Sequence, residues 1–155
     1  MSNSLHMQLL DATKTAIEGL GLTGISSSNV VVLQVPDDKG KWLPGLPGIM
    51  VAPFGRETLP ADQGTNRSDD IGYPVLIAIV DVANQAQTTN LDGRLYWREQ
   101  IIDEFFHNRL SIAGEDPIEQ TIEPLEIVNS AAWFQRQLYV SALVVRCTIR
   151  KLRRP

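Results

Sequence analysis

The sequence predicts an α+β fold in which two amphipathic helices pack on a small, mostly antiparallel β-sheet. Three observations support this prediction. A long run rich in β-branched residues occupies positions 137–153, a nearly continuous apolar run occupies positions 73–83, and two other stretches show helical spacing of apolar residues. With 155 residues, the chain suits a single domain that buries about two-thirds of its unfolded surface in one core.

The first part of the chain predicts a helix followed by two short strands. Over residues 5–20, apolar side chains recur every three or four positions, as in Leu9, Thr13 and Ile17, and glycines then end the helix. Residues 30–35 form a β-branched run that Pro36 stops. Residues 49–52 predict a second strand that returns beside the first, which gives a hairpin with a long, irregular tip at residues 42–48.

Residues 56–72 are the most polar stretch of the chain and show no periodicity, so they predict a long loop. The apolar run at residues 73–83 predicts a central strand that is covered on both faces and lies beside the last strand. Asp81 near its end is expected to form hydrogen bonds with a neighbouring loop.

Residues 90–109 predict the second helix. Two sets of side chains define its expected faces. The inward set is Leu91, Leu95, Ile102, Phe105, Phe106 and Arg109, and the outward set is Arg94, Arg98, Glu99 and Asp103. After it, residues 111–124 predict an acidic loop, and residues 125–128 a short strand.

The last strand changes character along its length. Its odd-numbered face stays apolar to the end, whereas its even-numbered face becomes basic from Arg146 onward. A strand of this length reaches roughly 45 Å at about 3.3 Å per residue, which is more than a small sheet needs. We therefore expect its far end to contact something besides the core.

The charge of the chain is polarised, although its net value is only −4. Five of the fourteen basic residues lie in the last ten positions, namely Arg146, Arg150, Lys151, Arg153 and Arg154. An acidic stretch without Lys or Arg contains Glu115, Asp116, Glu119, Glu123 and Glu126. A contact between these unlike patches on neighbouring copies would run head to tail, which allows a ring to close. Two alternatives remain, contact with a nucleic-acid backbone and a solvated terminus.

No constellation of residues predicts catalysis, a metal site or a cofactor site. His6 and His107 are the only histidines, and neither has an evident nucleophile or co-ligand in sequence. Asp69 and Asp70 lack the other ligands of a calcium loop. The single cysteine, Cys147, lies on the apolar face of the last strand, where it is expected to act as a small core residue. The sequence thus predicts a protein that is not an enzyme, and it shows no apolar membrane span and no signal peptide.

The order of elements resembles the tail terminator and tail-completion proteins of long-tailed bacteriophages. The resemblance rests on the opening helix at residues 5–20, the hairpin with a loose tip, the YPVLIAIVDVANQ strand, the GRLYWREQIIDEFFHNRL helix and the long last strand ending in arginines. It implies a structural virion protein of the neck, assembled in the host cytoplasm as a ring, six subunits being the expected number. The ring would cap the tail-tube protein, end tube growth and meet the head connector while DNA passes through its lumen without specific binding.

Two loops are predicted to contact partners in such a ring. Their candidate residues are Trp42, Leu43 and Leu46 at the hairpin tip, and Arg56, Arg67, Asp69 and Asp70 in the polar loop. The basic strand end and the acidic stretch would join subunits or line the lumen. The alternatives are a head-completion or connector adaptor protein of the neck and, in a different class, a non-viral adaptor that binds nucleic acid or protein.

Overall fold

The computed structural model describes residues 4–36, 42–59, 68–83, 90–112 and 117–152. Within these residues, three α-helices and five strands follow in the order α1 (Leu5–Gly19), β1 (Val30–Val32), β2 (Gly48–Pro53), β3 (Ser68–Val82), α2 (Leu91–His107), β4 (Glu119–Pro124), α3 (Ser130–Arg136) and β5 (Leu138–Leu152), with a short 3-10 helix at Ser27–Asn29 before β1. The strands form one five-stranded sheet in the order β1-β2-β3-β5-β4. The predicted α+β class is confirmed.

The centre of the sheet is a long antiparallel pair made by β3 and β5. The register runs from Ser68 opposite Leu152 to Val82 opposite Leu138, so both strands are paired over their whole 15-residue lengths. The predicted central strand and its predicted neighbour are therefore confirmed. The far end of β5 is matched by an equally long partner, which explains how a strand of this length is accommodated.

The predicted hairpin between the first two strands is wrong, because β1 and β2 run parallel, with Val30 opposite Ile49. The side chain of Asn29 donates from Nδ2 to the Pro47 carbonyl oxygen at 3.2 Å, which holds the beginning of β1 beside the beginning of β2. The chain after β1 must therefore return to its starting end before β2 begins. The connection between Val32 and Gly48 is long enough for such a crossover.

The predicted polar loop at residues 56–72 is shorter than expected, because residues 68–72 belong to β3. These polar residues extend because β5 continues beside them and pairs with their backbone groups. Thr58 adds an isolated bridge on the other side, exchanging two backbone hydrogen bonds of 2.8 and 3.0 Å with Gly72. Residues 60–67 lie outside the described part of the chain.

The helix α2 has a different buried face from the predicted one. Its buried residues are Arg94, Trp97, Arg98, Ile101 and Phe105. The prediction was wrong for the two arginines because it assumed that charged side chains face solvent, whereas both find buried hydrogen-bond acceptors. It was wrong for Phe106, which is 75% exposed, because Phe105 holds the inward position and the next residue is turned by about 100° around the helix axis, which here directs it to solvent.

Two elements near the C-terminal end also differ from the prediction. The short strand is β4 at Glu119–Pro124 and not residues 125–128. Because β4 is an edge strand, it keeps exposed polar side chains while Ile122 packs on the core. A third helix, α3, was not predicted, and the side chain of Asn129 caps it by accepting from the Ala132 N–H at 3.0 Å.

The main core lies between the sheet and the helices α1 and α2. The inward residues of α1 are Leu9, Leu10, Thr13 and Ile17, as their spacing predicted. They pack with Trp97, Ile101 and Phe105 of α2 and with the odd-numbered face of β5. The other sheet face carries a smaller buried cluster made of Leu43, Met50, Ala78, Val80 and Leu138. The fold thus has one helix-covered face and one face that loop residues cover.

Candidate interaction surfaces

The polar ends of β3 and β5 form a two-stranded ribbon, defined here as residues 68–72 and 148–152. Gly72 directs its backbone hydrogen bonds to Thr58, and the Thr148 carbonyl oxygen accepts from the Ile118 N–H at 2.8 Å. Beyond these contacts, the two ribbon strands pair only with each other within the described residues. One side of the ribbon packs on the main core through Ile149, which is fully buried, and Ile71 opposite it, so only its other side is a surface.

The arginines at this end of β5 pair with acidic side chains of their own chain. Arg146 Nε lies 2.9 Å from Glu123 Oε1, and its Nη1 donates to Thr58 Oγ1 at 2.8 Å. Arg150 donates from Nε to Asp70 Oδ1 at 2.9 Å and from Nη2 to Oδ2 at 3.3 Å. The hydrogen bonds and the charge of Asp70 raise the pKa of Arg150. The structure thus brings the even-numbered face of β5 together with one member of the acidic stretch and one of the polar loop.

The remaining charged residues of the acidic stretch and of the basic end of the chain do not join these pairs within the described residues. Glu119 and Glu126 are exposed on and just after β4, and neither forms an ion pair with another described residue. Lys151 belongs to β5. Four predicted site residues lie outside the described part of the chain: Glu115, Asp116, Arg153 and Arg154. Arg67, from the polar loop, also lies outside it.

The predicted contact loop at the hairpin tip contains one protruding side chain. Trp42 is 67% exposed, whereas the adjacent Leu43 is buried in the smaller cluster and Leu46 is half-buried against it. The loop is therefore anchored by its leucines while its indole faces outward. In the polar loop, Arg56 is exposed and its carbonyl oxygen accepts from Arg146 Nη1 at 3.3 Å, and Asp69 lies on β3.

A second apolar surface, which the sequence did not predict, lies between the start of α2 and α3. A groove of about 310 Å³ is lined by Leu91, Arg94, Val128, Ser130, Trp133, Phe134 and Tyr139. The side chain of Phe134 is 75% exposed and that of Ile127 is 54% exposed. These apolar side chains are next to the buried first residues of β5, at the end of the sheet opposite the ribbon. One end of the molecule is thus charged and the other presents apolar side chains.

Beneath that apolar end lies a buried polar cluster that fixes α2 to the sheet. Asp81 accepts from Arg94 Nε at 3.2 Å and lies 3.1 Å from its Nη2, and the Val82 carbonyl oxygen accepts from Nη2 at 2.6 Å. The guanidinium carbon of Arg94 lies 4.7 Å from the centre of the Tyr139 ring. Burial is the main reason that the pKa of Tyr139 is raised. Asp81 is therefore paired with a helix, not with the loop that we predicted.

Arg98 holds a second set of contacts in the same region. Its Nη1 donates to Ala142 O and to Ser141 Oγ, both at 2.8 Å, and its Nη2 donates to Leu125 O at 2.8 Å. Burial lowers the pKa of Arg98. The signal that could have identified both arginines is their spacing, since Arg94, Arg98, Ile101 and Phe105 continue one helical stripe.

The remaining candidate residues are Cys147, His107 and His6. Cys147 is buried, as predicted, and burial raises the pKa of its thiol to about 12. His107 is exposed on α2, and His6 Nε2 lies 2.7 Å from the Pro74 carbonyl oxygen.

Within the described ranges, no group of three or more His, Cys, Asp or Glu side chains is placed to hold a metal ion. None of the described helices is long and apolar enough to cross a membrane.

The comparisons with known proteins include a structural match of nearly full length. No protein-family model matches the sequence, and no curated protein matches it either. Among solved structures, the chain is similar to a chain from the "Virion of native gene transfer agent (GTA) particle", with 14% sequence identity and a TM-score of 0.53. The match covers 97% of this chain and 100% of that chain. The protein therefore shares its fold with a component of that virion.

Proposed function

We propose that this protein is a structural virion protein that forms a ring on the end of a tail tube, ends tube growth and joins the tail to the head connector. The observation that carries this proposal is the fold shared with a virion chain over 97% of this chain and 100% of that chain. The element order also resembles that of tail terminator proteins, although β1 and β2 run parallel and do not form the expected hairpin. The finer role, capping the tube, rests on that resemblance.

The two ends of the molecule suit contacts with different partners. The exposed side chains of Trp42 and Phe134 lie on surfaces that a neighbouring protein can cover, and large exposed aromatic residues are common at protein interfaces. We assign these surfaces to contacts with tail-tube or connector proteins. The ribbon, with its charged side chains, is assigned to contacts between copies of this chain or to the lumen.

Contacts between subunits can use the exposed carboxylates of Glu119 and Glu126 and the basic residues of the last five positions. Glu119 and Glu126 on one copy would face Lys151, Arg153 and Arg154 of the next. Because the acidic and basic patches differ, each copy uses both patches, and the contact can repeat until a ring closes. The net charge of −4 also suits a lumen through which DNA moves without tight binding.

The proposed role involves no catalytic step and no cofactor. The protein would act by assembling with itself and with other virion proteins, first in the host cytoplasm and then within the particle. Its function would then depend on surface contacts, and substitutions should affect it in proportion to the contacts they remove.

Electron microscopy of tail tubes mixed with the purified protein tests the proposal. We expect a ring at one end of each tube and tubes that no longer lengthen when tube protein is added. Binding to portal rings without binding to tubes would instead place the protein on the head side of the neck. A salt-dependent shift of DNA mobility by the monomer, without binding to either assembly, would support a nucleic-acid adaptor.

A further inference from the structure

The groove between α2 and α3 combines apolar walls with a buried charge. Leu91 at the start of α2 and Trp133 and Phe134 of α3 supply apolar walls to this space of about 310 Å³. Arg94 also lines the groove, although it is only 3% exposed. A charged side chain that is buried to this extent normally has acceptors for its donors, so the contacts of Arg94 decide what the groove can bind.

Arg94 keeps one donor nitrogen for a ligand. Its Nε and Nη2 bind Asp81, and Nη2 also donates to the Val82 carbonyl oxygen. Among the described residues, none accepts a hydrogen bond from Nη1, which is not fully buried. Because a guanidinium binds carboxylates through the N–H groups of its planar fork, Nη1 can donate to a carboxylate in the groove.

The buried charges beside the groove do not cancel. Arg98 donates to the Ser141 hydroxyl and to backbone carbonyl oxygens, and it has no carboxylate partner in the described part of the chain. Asp81 pairs with Arg94 alone, so two buried cations accompany one buried anion. All three charges act electrostatically on Tyr139, which lines the groove. The groove therefore has an excess of positive charge on one side, which favours an anionic group there.

The start of α2 contributes charge of the same sign. Leu91 is the first residue of this 17-residue helix, and the side chain of Asn90 before it makes no capping hydrogen bond. The N–H groups of a first helical turn carry the positive end of the helix dipole and bind anions. Asp92 and Glu126 are exposed carboxylates of this region, and neither lines the groove. The dipole of α2 and the unused donor of Arg94 thus favour the same kind of ligand.

We propose that this groove binds the C-terminal residue of a partner polypeptide, one with an apolar side chain and a free carboxylate. The carboxylate accepts from Arg94 Nη1 beside the start of α2, while the side chain packs against Leu91 and Phe134. A chain end suits the groove better than an internal acidic residue, because its carboxylate and its side chain belong to one residue and fit a small space.

The chemistry of the groove also limits what the partner is. The C-terminal segment of this chain is basic, with Lys151, Arg153 and Arg154 among its last five residues, so a second copy is not a suitable occupant. The partner is therefore a different polypeptide. That it is another protein of the virion rests on the proposed function.

Nitrogen-15 NMR of the full chain tests the groove with a synthetic peptide. The probe is an acetylated tripeptide, two alanines followed by leucine, with a free carboxylate. The chain has three tryptophans, and a Trp133→Phe variant assigns the Trp133 indole N–H signal by its loss. We expect that signal to shift saturably with the peptide. Trp97, whose indole N–H donates to the Thr23 carbonyl oxygen outside the groove, is the control and should not shift.

The same peptide with a C-terminal amide measures the contribution of the carboxylate. We expect the amide to bind at least about tenfold more weakly, because it removes the charge from the bond to Arg94. Acid and amide peptides that bind equally would overturn the proposal, as would a Trp133 signal that the acid does not move. An amidated peptide with an internal glutamate beside leucine that binds as tightly as the acid would overturn the choice of a chain end.

A substitution on the exposed wall of the groove gives a test that spares the buried cluster. Phe134→Asp brings a like charge to the carboxylate and should weaken binding of the acid at least about tenfold. Phe134 is 75% exposed, so the fold should tolerate the change. Phe106→Asp is the matched control, since Phe106 is also 75% exposed but does not line the groove, and it should bind as the natural chain does. Equal binding by the two variants would contradict the assignment.

These measurements separate the groove from the proposed function. The peptides need neither a ring nor a tail tube, so a chain that caps tubes but ignores the peptides overturns this inference alone. A chain that binds the acid peptide but forms no ring on tubes overturns the proposed function and leaves the groove as a binding site for chain ends.

Discussion

The Arg98 guanidinium of α2 donates from Nη1 to the Ala142 carbonyl oxygen of β5 at a distance of 2.8 Å. This contact crosses from the helix layer to the sheet, and the same nitrogen also donates to Glu126 O and Ser141 Oγ. A single buried cation thus fixes α2, the end of β4 and β5 relative to one another. The apolar end of the molecule is built on this arrangement.

Replacement of Arg98 by methionine should destabilise the fold. The substitution keeps the apolar stem but removes the donor to the buried Ser141 hydroxyl and to Leu125 O, whereas Ala142 O and Glu126 O keep a backbone donor. A buried polar group left unsatisfied costs about 1–3 kcal/mol. We expect a loss of about 3 kcal/mol in the free energy of unfolding, measured by urea denaturation. Arg109→Met is the control, because Arg109 is exposed and should change stability by less than about 0.5 kcal/mol. Equal effects of the two substitutions would contradict the role assigned to Arg98.

The thiol of Cys147 should make stability depend on pH in the alkaline range. Its pKa is raised from 9.0 to about 12, so below pH 9 the thiol is neutral in both the folded and the unfolded states. Above pH 9, the unfolded thiol ionises while the folded one stays neutral, and stability falls by about 1.4 kcal/mol per pH unit. The difference in unfolding free energy between the natural chain and Cys147→Val should therefore be constant below pH 9 and should decline above it. A difference that stays constant to pH 10.5 would show that the thiol is not protected by burial.

Substitutions at the adjacent loop residues Trp42 and Leu43 should have different effects, one on partner binding and the other on stability. Trp42→Ala removes a largely exposed side chain, so the free energy of unfolding should change by less than about 0.5 kcal/mol while binding to tail tubes weakens at least tenfold. Leu43→Ala removes a buried side chain and should cost about 2–5 kcal/mol of stability. Calorimetry and tube co-sedimentation measure the two effects. If Trp42→Ala binds tubes as the natural chain does, this loop is not a contact surface.

Charge reversal should reveal which patches meet between copies. In the proposed ring, Glu119 faces Lys151 of the neighbouring copy, so Glu119→Lys would bring like charges together and should weaken ring formation. Adding Lys151→Glu to the same chain should restore assembly, since the charges are then exchanged and not lost. Glu99→Lys, an equal charge change on the exposed side of α2, should have no effect. Sedimentation velocity measures all three variants, and a double variant no better than Glu119→Lys alone would rule out this pairing.

The sequence predicted best those elements whose periodicity is set by apolar burial. The central pairing of β3 with β5 and the inward face of α1 follow from alternation and from helical spacing, and both agree with the structure. The predictions failed where polar groups determine the structure. Buried arginines, an edge strand of mostly polar side chains, and the polar residues Ser68, Asp69 and Asp70, which pair with a long partner strand, all lack an apolar pattern.

The sequence likewise predicted only part of the candidate surfaces. The sequence identified Arg146, Arg150, Glu123 and Asp70, but it could not show that they pair within one chain, because Asp70 and Arg150 are brought together only by the register of the two long strands. It did not indicate the apolar groove either. That groove depends on α3, a helix too short for periodicity to reveal.

The most direct test of the central claim is the mass of the protein bound to tail tubes, determined by native mass spectrometry after mild release or by symmetry analysis of electron micrographs. The account predicts a closed ring, for which six copies of 17.2 kDa would give about 103 kDa. Protein that binds tube ends only as single copies, or that leaves tube ends bare at saturating concentration, would contradict the account.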